Sequence, residues 1–196
     1  MTVCVALKLG NKVVIGTDSA VTTESTRIKN IVNLSKIVKI KNYYVLCSGA
    51  GTITESLQEI LNDEDYIKKL KINTCLEAKY FAESVYSLMK TDLEDSAIRN
   101  KDEYLDFFGE ILIATPNHIF CVYTDLSVYE FDKYTATGAG SDYALGVLSD
   151  LYKNIGSREI TWELLEAIVE RSVLAACEFS LVCAPPVIVK RVDNNK

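Results

Sequence analysis

The order of apolar segments is the feature that most constrains the fold of this chain. Short β-type runs come first, two helical patterns follow, and then come further strands, two more helices and a last strand. A sheet buries at least one face and a helix buries one stripe, so two antiparallel sheets packed together with helices outside satisfy this order. We therefore expect an α+β fold, a four-layer αββα sandwich, built as one domain over residues 1–196.

The N-terminal part of the chain predicts two β-hairpins. Gly10-Asn11 separates two β-rich runs and is typical of a tight hairpin turn. The residues between the hairpins, 19–33, are rich in Ser, Thr and Asn and are expected to form a loop. The predicted hairpins pair residues 2–9 with 12–18, and residues 35–40 with 43–48.

Apolar residues at helical spacing predict four helices. Thr161 is expected to N-cap the last of them, with acidic residues in its first turn. The charged stretches 62–71 and 90–103 are interpreted as exposed connections. The other helices are predicted to begin near Thr52, near Thr74 and at Ser141, and the remaining strands are predicted at residues 109–115, 118–123, 127–131 and 187–192.

Charge and composition argue against several functions. The net charge of -6 argues against a general nucleic-acid binder, which needs a basic face. No apolar run approaches the roughly 20 residues that span a bilayer, and no signal-peptide pattern precedes the first strand. We therefore expect a cytoplasmic protein with no membrane partner. Six cysteines without a C-x-x-C pair, and a single histidine, argue against a zinc site and favour buried, reduced thiols.

The chain has a single histidine, so a catalytic mechanism with an imidazole base would have to use that residue. His118 follows Pro116-Asn117 in a predicted turn, where a surface role is the plainer interpretation. An N-terminal amine is another base, because its pKa of about 7.7–8.0 leaves part of it neutral at cellular pH. Removal of Met1 would place the hydroxyl of Thr2 beside such an amine, which is a recognised way to activate a hydroxyl. Gly138-x-Gly140 before a helix is only a weak signal for nucleotide binding, because a third glycine is missing.

Three segments form a joint pattern that is more specific than any one of them. They are Thr2-Val3 with Val14–Ala20, the run Ser35–Ile40 followed by Tyr43 and Ser48-Gly49, and the glycine turn and helix start Gly138–Gly146. Together they resemble the β-type subunits of proteasomes and their bacterial relatives, which are N-terminal-nucleophile hydrolases. The resemblance covers most of the chain, in the right order. It implies the αββα fold and a threonine-type peptidase or amidase.

The resemblance also implies roles by position. Thr2 matches the nucleophile, Asp18 the carboxylate that holds the catalytic lysine, and Lys36 that lysine. The charge of Lys36 would lower the pKa of the Thr2 hydroxyl and of the amine, since a cation disfavours protonation. Gly49 matches the glycine whose backbone N–H binds the substrate oxyanion. Thr22 matches a residue whose backbone binds extended substrate like an added strand.

The lysine assignment has alternatives. Asp18 could simply end a strand, and Lys36 could be an exposed strand residue. The loop before Lys36 is longer than in the usual subunits, so Lys39 and Lys29 remain open for the catalytic role. If residues 35–40 form a strand, Lys36 and Lys39 point to opposite faces, so only one of them can reach Thr2.

Other positions depart from the family pattern. Ala139 stands where the family usually has a serine between two glycines. Glu178 is the candidate for the Asp near the end of the last long helix, and Ser180 is one candidate for the serine that follows it. These polar groups normally surround the nucleophile and its amine. Their partial loss is compatible with a weak enzyme or with an inactive subunit.

The first functional hypothesis is therefore a threonine peptidase that works through a Thr2 acyl-enzyme after Met1 removal. No metal or organic cofactor is implied. The resemblance further implies a homo-oligomeric ring, a peptide or protein substrate and an ATPase unfoldase as partner. The alternatives are a non-catalytic structural subunit and an acyl-transfer enzyme on the same fold. The sequence leaves open the side-chain preference, the ring size and the existence of the ATPase.

Overall fold

The computed structural model describes residues 2–23, 26–28, 36–49, 51–95, 109–156 and 159–193. These residues form eleven strands and five helices. The strands are β1 (Cys4–Leu9), β2 (Lys12–Thr17), β3 (Val21–Thr23), β4 (Thr26–Ile28), β5 (Ile37–Ile40), β6 (Tyr43–Gly49), β7 (Gly109–Ala114), β8 (Ile119–Val122), β9 (Val128–Phe131), β10 (Tyr134–Thr137) and β11 (Ile188–Val192). The helices are α1 (Gly51–Asn62), α2 (Glu64–Lys69), α3 (Cys75–Asp95), α4 (Ser141–Lys153) and α5 (Trp162–Phe179).

Two antiparallel sheets form the centre of the fold. One has four strands in the order β10-β1-β2-β11, and the other has five in the order β5-β6-β7-β8-β9. Both predicted hairpins are present, as β1-β2 and β5-β6. The short strands β3 and β4 pair with each other, so part of the predicted loop 19–33 is a small ribbon. Residues 24–25 and 29–33 of that prediction lie outside the described residues.

The buried residues divide into layers because strand side chains alternate between faces. Cys4 and Ala6 of β1 pack against Leu112 of β7, between the two sheets. Val5 and its neighbours on the opposite face of β1 pack under α4 and α5. On the outer face of the other sheet, a third cluster joins the strands to α1 and α3. The order helix, sheet, sheet, helix confirms the αββα sandwich.

Some elements differ from the sequence prediction. The short helix α2 lies within the stretch interpreted as an exposed connection, and the Asp63 side chain caps it by accepting from Tyr66 N–H at 2.9 Å. Strand β10 was not predicted, and α3 continues to Asp95. The rest of the 90–103 stretch lies outside the residues that the structure covers. The predicted N-cap is confirmed, because Thr161 Oγ1 accepts from Leu164 N–H at 3.2 Å.

The register of the four-stranded sheet gathers several chain segments at one edge. Cys4 pairs with Thr17 of β2 on one side and with Thr137 of β10 on the other. The residues just beyond these pairs, Thr2, Asp18 and Gly138, therefore lie close together. None of the described helices is both long and apolar enough to cross a membrane.

Candidate active site

Thr2 lies two residues before the start of β1, in the interior of the fold. Its side chain is buried, with the residue only 3% exposed. Its hydroxyl donates to Asp18 Oδ1 at 2.9 Å, and its carbonyl accepts from Gly140 N–H at 3.4 Å. The next backbone N–H, that of Val3, donates to the same oxygen of Asp18 at 3.1 Å. The side chain and the carbonyl group of Thr2 are thus held by neighbouring segments.

Asp18 is the centre of the polar network. The residue follows β2 and is completely buried. A buried carboxylate is stable only when it is paired and hydrogen-bonded, since burial without partners is costly. Asp18 meets this requirement with five donors among the described residues: Thr2 Oγ1, Val3 N and Lys36 Nζ at Oδ1, and Ala20 N and Ala184 N at Oδ2.

Lys36 supplies the positive charge next to this carboxylate. Its Nζ lies 2.8 Å from Asp18 Oδ1, and its side chain is 10% exposed. The Thr2 hydroxyl contacts the same oxygen, so the ammonium and the hydroxyl share one acceptor. The alternative Lys39 is exposed and lies over the ring of Tyr44 at 5.6 Å, whereas Lys29 falls outside the described residues.

The end of β6 approaches this site from the five-stranded sheet. Gly49 is the last residue of β6 and pairs with Gly109 of β7. Its φ of 122° belongs to a region that favours glycine. The preceding Ser48 is 3% exposed, and its hydroxyl is 3.5 Å from Thr137 Oγ1 of the other sheet.

Gly138 lies between Ser48 and the backbone of Thr2. Its φ is 87°, and a Cβ placed on it would be 2.3 Å from Thr2 O and 3.0 Å from Ser48 Cβ. A side chain therefore has no room here. Gly140 is also closely packed, since a Cβ there would be 2.8 Å from Ala176 Cβ and equally close to Cys183 Sγ. The small size of Gly138 therefore lets the end of β6 lie close to Thr2.

The sequence matches the proteasome subunit family over residues 2–182. The chain belongs to the proteasome subunit family. Solved structures with the same fold include Thiobacillus denitrificans BPH in complex with epoxomicin, with a TM-score of 0.78, 22% identity and coverage of 99% of this chain and 100% of that chain. Thiobacillus denitrificans BPH alone gives a TM-score of 0.76, 22% identity and coverage of 98% and 100%. A search of curated proteins gave no match.

Membership in the proteasome subunit family suggests an N-terminal-nucleophile hydrolase, in a family that typically forms oligomeric rings. Among the predicted site residues of this subunit, Thr2, Asp18 and Lys36 are joined at one oxygen. Gly49 lies next to Ser48 at the same edge. Thr22 lies in β3 and pairs with Arg27 of β4, in the separate two-stranded sheet.

The two predicted supporting residues of this proteasome subunit lie at the end of α5. Glu178 is exposed on the last turn of α5, and Ser180 is the C-cap residue of that helix. Within the described part of the chain, neither side chain is hydrogen-bonded to Thr2, Asp18 or Lys36. Ala139, in the position of the family serine, is exposed.

The sequence interpretation missed two partners of the site. Ala184 N–H donates to Asp18 Oδ2 at 3.1 Å, and Ala184 O accepts from Ser19 N–H at 3.0 Å, so the segment after α5 buttresses the carboxylate with its backbone. Glu110 of β7 accepts from Gly138 N–H at 2.9 Å. The only sequence signal near Ala184 was the irregular Pro185-Pro186 segment. No sequence signal pointed to Glu110.

The cysteines near the site are protonated thiols rather than nucleophile candidates. None of the six cysteines of this subunit, all of them in the described part of the chain, forms a disulfide. Burial raises the pKa of the Cys4 thiol to about 12. Burial, and then the charge of Asp18, raise the pKa of Cys183 as well. Since the thiolate is the reactive form, these shifts disfavour attack by sulfur at neutral pH.

Proposed function

We propose that this proteasome subunit is a threonine-type peptidase or amidase whose nucleophile is Thr2, exposed as the N-terminal residue when Met1 is removed. The observation that carries the proposal is the contact of the Thr2 hydroxyl and the Lys36 ammonium with one oxygen of Asp18, at 2.9 and 2.8 Å. A hydroxyl, a cation and a buried anion in this arrangement form the polar centre that activation of an N-terminal threonine needs.

The proposed reaction has two steps. Thr2 Oγ attacks the substrate carbonyl and its proton passes to the free α-amine of the same residue. That proton then moves to the leaving nitrogen as the C–N bond breaks, which leaves an ester on Thr2. A water molecule next attacks the ester, gives its proton to the α-amine, and releases the acid as the hydroxyl of Thr2 is restored.

Lys36 and Asp18 act on the nucleophile electrostatically. Lys36 lowers the energy of the negative charge that develops on Thr2 Oγ, and Asp18 holds Lys36 in place. The backbone N–H of Gly49 is proposed to stabilise the oxyanion, where one preorganised donor contributes about 2.7–4 kcal/mol in other hydrolases. No step requires a metal or an organic cofactor.

The remaining parts of the proposal concern substrate and assembly. An extended peptide is proposed to pair with the backbone of Thr22 as an added strand. The working form is proposed to be a cytoplasmic homo-oligomeric ring, with an ATPase unfoldase supplying unfolded chains. Size measurement of the purified protein and co-purification from the native host address these two points separately.

The central experiment compares two forms of the same chain. A fusion partner cleaved directly before Thr2 gives a free Thr2 amine, and the uncleaved fusion keeps that nitrogen in a peptide bond. Hydrolysis of casein and of a panel of fluorogenic peptide amides is expected only in the cleaved form. Thr2→Ala should abolish it and Thr2→Ser should retain part, because serine keeps the hydroxyl. Equal hydrolysis by cleaved Thr2→Ala would place the nucleophile elsewhere.

The second candidate is a structural subunit that does not catalyse. It is favoured by the departures at Ala139 and Glu178, both of which are exposed and neither of which contacts the network at Asp18 within the described chain. Intact-mass measurement of the protein from its native host distinguishes the two functions. Retention of Met1 on nearly all molecules supports the structural role, and its loss supports the peptidase.

A further inference from the structure

Glu110 connects two segments that border Thr2. It lies on β7 directly opposite Ser48 of β6, in the five-stranded sheet. Its Oε2 accepts from Gly138 N–H at 2.9 Å, where the four-stranded sheet ends, and it lies 3.4 Å from Ser48 Oγ. One carboxylate oxygen of Glu110 therefore contacts a residue of the five-stranded sheet and the residue that follows the four-stranded sheet. Both contacts lie at the edge where Thr2 is found.

Each segment held by Glu110 touches a different part of the site. Gly138 packs against the carbonyl of Thr2 so closely that no side chain fits between them. Ser48 precedes Gly49, so its peptide group carries the N–H that we assign to the oxyanion site. A shift of either segment would change the distance between the nucleophile and the oxyanion donor.

We propose that Glu110 is a positioning residue that fixes the glycine turn and the end of β6 relative to Thr2. This inference rests on the proposed function. Hydrogen bonds to an ionised carboxylate are shorter and about twice as strong as neutral ones. The 2.9 Å bond to Gly138 is the stronger contact, and the distances around the Ser48 hydroxyl, 3.4 and 3.5 Å, indicate weaker support.

A carboxylate suits this position because it supplies the acceptor for a backbone N–H of the glycine turn. Gly138 has no side chain, and its positive φ gives it a backbone conformation that few residues adopt. Its N–H points to Glu110, while its carbonyl accepts from Ser141 N–H at 3.0 Å, at the start of α4. Loss of Glu110 would leave the N–H without its acceptor and let the turn move against the Thr2 carbonyl.

The test compares Glu110→Ala and Glu110→Gln in the full chain with a free Thr2 amine. Glu110→Ala should lower kcat by about 10- to 100-fold with KM within about 3-fold, since misplacement of a reacting group by 1 Å lowers the rate by about that much. Glu110→Gln keeps an acceptor oxygen and should stay within about 5-fold of the wild-type kcat. Glu130→Ala is the control, because Glu130 lies on β9 and contacts His118 instead.

Amide hydrogen exchange gives a readout that is independent of activity. Exchange at Gly138 should become faster in Glu110→Ala and remain slow in Glu110→Gln. Wild-type kcat in Glu110→Ala, while Thr2→Ala is inactive, overturns the inference and leaves the proposed function standing. So does an equal loss in both Glu110 variants with unchanged exchange. Hydrolysis that persists in Thr2→Ala overturns the proposed function, and the inference with it.

Discussion

The ammonium of Lys36 lies 2.8 Å from the buried carboxylate of Asp18, although the two residues belong to segments of different sheets. Lys36 directly precedes β5, and Asp18 directly follows β2. The ion pair thus closes the edge of the sandwich where the hydroxyl of Thr2 is bound. Removal of one partner would leave the other charge buried and unpaired beside the proposed nucleophile, so we expect it to lower both stability and activity.

Lys36→Ala is expected to abolish the proposed peptide hydrolysis and to destabilise the fold. The variant leaves the completely buried Asp18 without its cation, and breaking such a pair typically lowers the free energy of unfolding by about 3 kcal/mol. Lys39→Ala is the matched control, because Lys39 is exposed over Tyr44 and should leave kcat near the wild-type value. Peptide hydrolysis and urea unfolding of both variants provide the measurement.

The comparison also decides between the two lysines. If the folded Lys36→Ala variant hydrolyses peptide at the wild-type rate, Lys36 has no role in the reaction. An inactive Lys39→Ala variant would transfer that role to Lys39. Lys36→Arg adds a further test, because it keeps the charge and should retain activity only if the larger group fits beside Asp18.

The sequence was sufficient to predict the layers and the Thr2, Asp18 and Lys36 constellation. The layers follow from local periodicity, since the two faces of β1 alternate between the facing sheet and α5. The grouping of the three site residues was implied by the family resemblance. The register of the β1-β2 hairpin accounts for the position of Thr2 beside Asp18. Whether these residues carry the proposed reaction stays a prediction.

The missed contacts are those that join distant parts of the chain through backbone groups. Ala184 N–H donates to Asp18, 166 positions away in the sequence. Almost every residue type has a backbone N–H, so the identity of residue 184 does not reveal this contact. Glu110 reaches Gly138 across 28 positions and Ser48 across 62. Predicting them requires the packing of the two sheets. The assignments of Glu178 and Ser180 came from the family resemblance, by position near the end of the last long helix, and they stay predictions.

Gly138→Ala is expected to impair both stability and catalysis. An added Cβ would lie 2.3 Å from Thr2 O, and the φ of 87° is strained for alanine. Strain of this kind amounts to about 2 kcal/mol or more, and displacement of Thr2 should lower kcat by about 100-fold. Thermal unfolding and peptide hydrolysis measure the two effects.

Gly146→Ala serves as the control for that substitution. Gly146 lies within α4, and a Cβ there meets nothing within 4 Å. Alanine should raise the free energy of unfolding by about 0.5–1 kcal/mol, because glycine is less favourable in a helix. If Gly138→Ala is as active and stable as Gly146→Ala, Gly138 does not pack against Thr2 closely enough to exclude a side chain.

The buried thiol of Cys4 should make stability depend on alkaline pH. Its folded pKa is raised by burial from 9.0 to about 12, so the folded protein keeps the proton that the unfolded chain releases above pH 9. The contribution is therefore fully present below pH 9 and is lost as pH rises toward 12. Between pH 8 and pH 10, linkage predicts a loss of about 1.4 kcal/mol from this thiol.

Cys4→Ala should remove that part of the pH dependence, although the lost side chain also lowers stability at every pH. Val5→Ala is a suitable control, since Val5 is the next residue of β1, is equally buried and carries no ionisable group. Urea unfolding at pH 8, 9 and 10, with a phosphine reductant to keep the thiols reduced, gives the slope for each variant. Cys47 and Cys121 are buried thiols whose pKa burial also raises, so some slope should remain in Cys4→Ala. If Cys4→Ala and Val5→Ala lose stability equally steeply over this range, the Cys4 thiol is not held in its protonated form by the fold.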